Sequence, residues 1–364
     1  MQIAFFPSQR VALYMAKAFL VRTVAVLAAL VVILQTLDLL GESGDILAYP
    51  GNGDAQLWHY VALRLPQLVQ RFLPFSVLLG TLITLATLNQ NSEVIAMKAA
   101  GISAHQILAP LMVASLGIAL GSFLFNERIV TRATATLSAW EAVEYGPVPP
   151  ARDGAVNVWV RDGEDIVHAA AAHGRGAATV LERVTLYDRA ANRLQRIVAA
   201  PVARPGRAGW VLERPRVFDV AAGTVSTPAS LTAFGGISPD QFTLSDVDPD
   251  TRAFEGLETA IDDLAAAGRP VGPLKAALWH KLSGPLSSVL MPLLAGVAAF
   301  GLARSGQLFL RAVIGMALGF AYFVADNFAL AMGNLGAYPP LLAAWAPFLL
   351  FLLIGEIVLI RTEE

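Results

Sequence analysis

The chain contains no cysteine at all. That excludes a disulfide framework, a thiolate metal site and a cysteine nucleophile. Charge is also scarce: charged residues make up 15% of the 364 positions, against about 25% in soluble domains. A cytosolic enzyme is rarely so greasy. The formal net charge is −2, so the broad basic footprint of a nucleic-acid binder is missing. There are only four lysines, Lys17, Lys98, Lys275 and Lys281, and none follows a glycine. A phosphate-binding loop ending in Gly-Lys is therefore excluded. The five histidines, His59, His105, His168, His173 and His280, never show the HExxH spacing of zinc peptidases.

What the chain has instead is apolar sequence: 55% hydrophobic residues and a mean hydropathy of +0.58. Of its 54 charged residues, 35 fall between Glu127 and Lys275. Uncharged flanks around a charged centre are the layout of a membrane protein with one water-exposed insertion. Six segments are long enough to span a bilayer, at about 18–37, 72–88, 107–125, 282–302, 312–332 and 341–360. Basic residues mark one side: Arg10, Lys17, Arg22, Lys98, Arg304, Arg311 and Arg361. Asp38, Glu42, Asp45 and Asp54, in the first loop, mark the other. By the positive-inside rule both termini are cytoplasmic and the insertion lies outside. No convincing cleavage site follows the first segment, which reads as a retained signal anchor.

Residues 151–236 read as short strands punctuated by Gly and Pro, with candidates at 156–160, 179–187, 194–200, 209–213, 216–220 and 225–232. Such spacing predicts an all-β sandwich or jelly roll. Ser238-Pro-Asp240 and the acidic run 246–250 read as loop. Residues 255–267 form an amphipathic helix closed by Gly268 and Pro270. The expected fold is thus a six-span α-helical membrane protein with a jelly-roll-like β domain between spans three and four. Its parts are 1–126, 127–274 and 275–364, with a linker helix near 255–267.

Gly41-Glu42-Ser43-Gly44 matches the GxSG pattern of rhomboid proteases, but it lies in an acidic stretch and reads better as a turn. No later span holds an interior histidine to serve as base. Asp326 in the fifth span and Glu356 in the sixth are costly where they stand. Asp326 leaves open a proton relay, a polar contact between helices or a place near the interface, and Glu356, about one turn from Arg361, reads as a residue near the interface. Asp38 is a third charged residue close to the membrane.

The stretch Asn89–Ser103 is the most informative. Ser92 is placed to cap a short helix that starts at Glu93, and Gly101 to end it, over about 91–101. Val94, Ile95 and Met97 make that helix sticky, as a partner surface would be. Around it the chain resembles the LptF/LptG permeases, membrane subunits of the ABC exporter of lipopolysaccharide. The residues that carry the resemblance are Ser92-Glu93 with Ala100-Gly101, Leu278–Leu282 followed by Pro285-Leu-Ser287, and Gly319–Phe323 with Asp326, Gly336 and Tyr338-Pro-Pro340. The linker Leu244–Pro249 and the helix ending at Gly268 also fit, as does the plan of three spans, β domain, three spans. The later spans are more similar to LptG than to LptF.

The resemblance implies a non-catalytic subunit with no cofactor of its own. ATP and Mg would sit in a separate LptB-like ABC ATPase dimer. The other implied partners are a homologous LptF-like six-span permease, an LptC-like single-span jelly-roll protein and lipopolysaccharide. Spans one and five would be lateral gates. Ser92, Glu93, Met97 and Gly101 would couple to the ATPase, with Glu93 paired to one of its basic residues. Arg64, Arg71, Arg128, Arg132 and Lys281 are candidates for lipid phosphates, since guanidinium and ammonium groups match them. One departure stands out. Where LptG often has a lysine three residues before an aspartate late in span one, this chain has Gln35 before Asp38. Rival readings are an ion-coupled transporter using Asp326, an ABC-type mechanotransmitter that moves no lipid, and a protease acting through Ser43.

Overall fold

The computed structural model describes residues 8–148, 154–174, 176–190, 193–243, 247–266, 269–301 and 308–361. Arg304, Gly268 and 244–246 of the linker lie outside the described residues, as does the side chain of Arg311. The chain divides into two compact units. One comprises 1–146, 249–258 and 272–364, and the other 147–248 and 259–271.

The first unit is helical. Its elements are α1 (Gln9–Ala48), α2 (Asp54–Gln90), α3 (Glu93–Ala99), α4 (Ala104–Phe125) and α5 (Thr131–Glu141). After the inserted sheet come α7 (Phe254–Ala266), whose residues from Thr259 on are counted in the second unit, α8 (Gly272–Gly296), α9 (Leu308–Asn334) and α10 (Pro340–Arg361). A π-helical turn, Asn126–Val130, joins α4 to α5 in one continuous helix; another, Val297–Gly301, ends α8. Among the described residues six helices are long and apolar enough to cross a membrane.

Three of these run well past the apolar segments. The 40-residue α1 continues through Asp38, Glu42 and Asp45, which corrects the expected loop, because only 49–53 connect α1 to α2. Hydropathy marks what can sit in lipid, whereas helix length is set by packing. Here Ile46, Tyr60, Leu137, Trp140 and Tyr145 form an apolar core at the far ends of α1, α2 and α5. Asn52 fastens the connection by donating to Ile46 O (2.8 Å) and Tyr145 O (3.0 Å).

The main helical core joins Phe19 of α1, Val77 and Leu78 of α2, Leu108 of α4, Met291 of α8 and Leu359 of α10. Close approach needs small residues. A Cβ on Gly80 would lie 2.9 Å from the backbone of Thr23, so α1 and α2 cross where α2 has none. Pro66, Pro74, Pro110, Pro285, Pro292 and Pro347 all lie inside helices. Neighbouring helices make that tolerable within a membrane.

The second unit is an antiparallel sheet ordered β1-β2-β3-β4-β5-β8, with β6 on β4 and β7 on β6. Its strands are β1 (Gly154–Asp162), β2 (Asp165–His173), β3 (Val180–Ala190), β4 (Arg193–Gly206), β5 (Gly209–Glu213), β6 (Arg216–Asp219), β7 (Thr224–Ser226) and β8 (Ser230–Ala233). Ser238-Pro-Asp240 opens a short helix, α6 (Pro239–Thr243), instead of a loop. Its Phe242 packs under Trp210, whose indole donates to Ile237 O at 2.9 Å.

Alternation slips along one line across this sheet. Val167 and Ala169 face the core, then Ala172; Leu181 faces it, then Val184; Val198 and Ala200 do, then Ala203. The register sets Asn157, Ala170, Arg183 and Pro201 opposite one another between these halves. Asn157 and Arg183 have φ of 54° and 47°. In β3 the left-handed Arg183 turns the strand over, so that Leu181 before it and Val184 after it are both buried.

Candidate functional site

α3 is held at both ends by backbone geometry. Gly101 has φ of 80°, and the N–H groups of Gly101 and Ile102 reach Lys98 O (3.0 Å) and Met97 O (3.1 Å). That double closure at a left-handed glycine is a Schellman ending. Ser92 does not cap the helix with its hydroxyl, contrary to expectation. It lies in the left-handed region at φ 62°, directly after the C-cap of α2. A residue that turns the chain out of α2 cannot also hold the extended backbone of an N-cap.

Val94 of α3 is buried in the helical core and Met97 packs against it, while Ile95 is 62% exposed. Glu93 accepts from Tyr14 Oη of α1 (3.4 Å) and from Asn91 Nδ2 (3.3 Å). Lys98 sits 5.0 Å from the ring centre of Phe300. Beside α3 lies a cavity of about 230 Å³, lined by Leu82, Leu85, Val94, Ile95, Lys98 and Phe300. The helix is therefore a rigid tab, rooted in α1, α2 and the end of α8, with its outer face free.

At the opposite end Arg64 forms a two-pronged pair with Asp38, through Nη2 at 2.9 Å and Nε at 3.1 Å. It also donates to Gln67 Oε1 at 2.8 Å, and Tyr60 Oη donates to Asp38 at 2.6 Å. Beside this network a polar pocket of about 720 Å³ is lined by Glu42, Asp45, Glu141, Glu144, Tyr49 and Tyr145. Tyr145 donates to Glu42 at 2.7 Å; burial, then that carboxylate, pushes its phenol well above the ordinary value. So much negative charge repels phosphate. Arg71, Arg128 and Arg132 are exposed and, among the described residues, unpaired. Lys281 is half-buried and already engaged.

Asp326, 9% exposed in α9, faces His280 of α8 at 3.0 Å. His280 lies inside a spanning helix, because α8 begins at Gly272; the expectation of no interior histidine is corrected. Glu356 of α10 meets His105 of α4 at 3.3 Å. Ser43 lies within α1, not in a turn, and its hydroxyl donates to Leu40 O. Gln35 is buried one turn before Asp38, with neither amide atom bonded among the described residues. The partners of Asp38 and Asp326 were missed in the sequence. Only the rarity of charge near a span signalled that partners must exist.

A family model described as lipopolysaccharide export system permease LptF/LptG matches residues 13–361. The chain is 27% identical over 348 residues to the lipopolysaccharide export system permease protein LptG of Escherichia coli, covering 93% of this chain and 94% of that one. It is 25% identical over 324 residues to LptG of Haemophilus influenzae, covering 86% and 89%.

Proposed function

The chain belongs to the LptF/LptG family of lipopolysaccharide export permeases, and from that premise we propose how it does its work. It is a multi-pass membrane permease of lipopolysaccharide export, and the relatives named above carry the LptG name. In the proposed mechanism α3 docks into an ABC ATPase dimer on the cytoplasmic side. That dimer holds ATP and Mg, and this chain binds no cofactor. A homologous six-span permease completes a cavity for the lipid. A single-span jelly-roll protein receives the lipid beside the periplasmic sheet domain. Both termini are cytoplasmic.

The observation that carries this reading is the anchoring of α3 at both ends and along its buried face. A short helix closed by left-handed residues, with Val94 and Met97 packed into the core, transmits a push to α2 and α4 without bending. Ile95 is its exposed apolar contact, and Glu93 offers a carboxylate to a basic residue of the ATPase. On the outer side Arg71, Arg128 and Arg132 are the phosphate contacts that remain once Asp38 has engaged Arg64. Lys281 adds a cation near the entry to α8.

Native mass spectrometry of the gently extracted complex tests the proposal. The expected result is this chain with one homologous subunit, two ATPase copies and bound lipopolysaccharide. Glu93→Ala should weaken ATPase capture about tenfold, as losing one interfacial charge contact of ~1.4 kcal/mol does. Recovery of the chain alone, without ATPase or glycolipid, overturns it.

A further inference from the structure

One face of the sheet carries an arrangement that the permease mechanism does not use. The register places Trp159, His168, Thr185, Ala199 and Arg216 opposite one another across β1, β2, β3, β4 and β6. They alternate with the buried Val158, Val167, Val184 and Val198, so this row lies on the face away from the core. Four strand-to-strand steps make it roughly 19 Å long.

Its two ends differ in chemistry. At one end Trp159 is 54% exposed, with His168 at 4.4 Å and Tyr187 stacked at 6.1 Å between ring centres. Asn157 holds the His168 ring at 2.9 Å. At the other end a cleft of about 290 Å³ is lined by Arg183, Arg214 and Arg216 over Thr185, Ala199 and Pro201. Among the described residues none of the three guanidinium groups has a hydrogen-bond or ion-pair partner. Nearby carboxylates are taken elsewhere: Asp188 by Arg196, and Glu213 by Arg204.

Arg183 and Arg214 both occupy the left-handed region, at φ 47° and 48°. That backbone costs a side-chain-bearing residue about 1–2 kcal/mol. Three unpaired arginines around one shallow cleft suit an anion, and guanidinium groups bind phosphate or carboxylate two-pronged. A rigid aromatic platform suits the apolar face of a sugar ring. A strand-wide row with a platform at one end and an anion cleft at the other matches an extended, negatively charged saccharide.

We infer that this face of the sheet domain binds an anionic saccharide, with Trp159 stacking on a sugar ring and Arg183, Arg214 and Arg216 holding its phosphate or carboxylate groups. The inference rests on the permease reading in one respect: the saccharide is the headgroup of the exported glycolipid.

The test is calorimetry on the full chain in detergent with three probes. These are the oligosaccharide freed from the cell's own glycolipid by mild acid, the same material after phosphatase treatment, and inorganic phosphate. The intact oligosaccharide should bind. Arg183→Asn with Arg216→Gln should weaken it at least tenfold; asparagine tolerates the left-handed backbone, and an unchanged melting curve confirms the fold. Trp159→Ala should weaken it several-fold and Trp159→Tyr restore much of that. Phosphatase treatment should weaken it too. Equal affinity in wild type and the arginine variant overturns the site. Inorganic phosphate binding as tightly as the oligosaccharide, indifferent to Trp159→Ala, overturns the saccharide assignment. Co-purified glycolipid is assayed in parallel. Its presence alongside unchanged oligosaccharide binding sinks this inference alone, and its absence from every version sinks the permease reading as well.

Discussion

Three donors converge on Asp38 near the bilayer: Arg64 Nε and Nη2, and Tyr60 Oη. A half-buried guanidinium robbed of its carboxylate is left with donors that water only partly satisfies. Asp38→Ala should therefore cost about 1–3 kcal/mol. Arg64→Ala should cost a similar amount, and the double change less than the sum. Thermal melting of the four proteins in one detergent measures this, and simple additivity would refute the pairing. Tyr145 gives a pH counterpart. Its phenol is raised in the folded state, so the stability it contributes is complete below the ordinary phenol value and is lost as pH rises through the folded one. Melting between pH 8 and 11 should show a shallower alkaline decline in Tyr145→Phe. At this scale the sequence exposed the charged residues but not their partners. Asp38 and Arg64 stand 26 positions apart, Asp326 and His280 46. No local pattern links them.

α3 shows which signals of an element are local. Gly101 was legible because a Schellman ending is built from neighbours and requires φ > 0, which glycine adopts freely. Open space surrounds its Cα, so Gly101→Val fails on backbone conformation, not on a clash. The expected penalty is about 1–2 kcal/mol, with Gly101→Asn milder. Hydrogen exchange at Ile102, whose N–H closes the helix, should speed up in the same order. Ser92 was misread because the end of α2, thirty-odd residues from its start, decides the backbone there. The strand β2 was missed for another reason. Ala169 and Ala172 are poor strand formers on propensity, yet both are fully buried between flanking strands. The stretch 225–232, which its composition predicts as one strand, forms two, β7 and β8, on different partners.

Across the whole molecule the hydropathy profile carried the six spans and the position of the sheet, since both follow from where apolar residues accumulate. It underestimated helix length, because the ends beyond lipid are held by packing. Sidedness is open to direct measurement, as the chain has no cysteine of its own. A single cysteine at Lys98 should resist an impermeant maleimide in spheroplasts, and one at Arg207, in the turn between β4 and β5, should react. The reverse pattern would refute the proposed orientation. Helix lengths differ between the halves: α1 has 40 residues and α10 has 22, about 60 Å and 33 Å at 1.5 Å per residue. A hydrocarbon layer is about 30 Å thick. Thinning that layer merely wets more of a helix whose far end already has an apolar core of its own around Tyr60 and Trp140. α10 has no such reserve, so it must tilt, or draw the surrounding lipid to its own height.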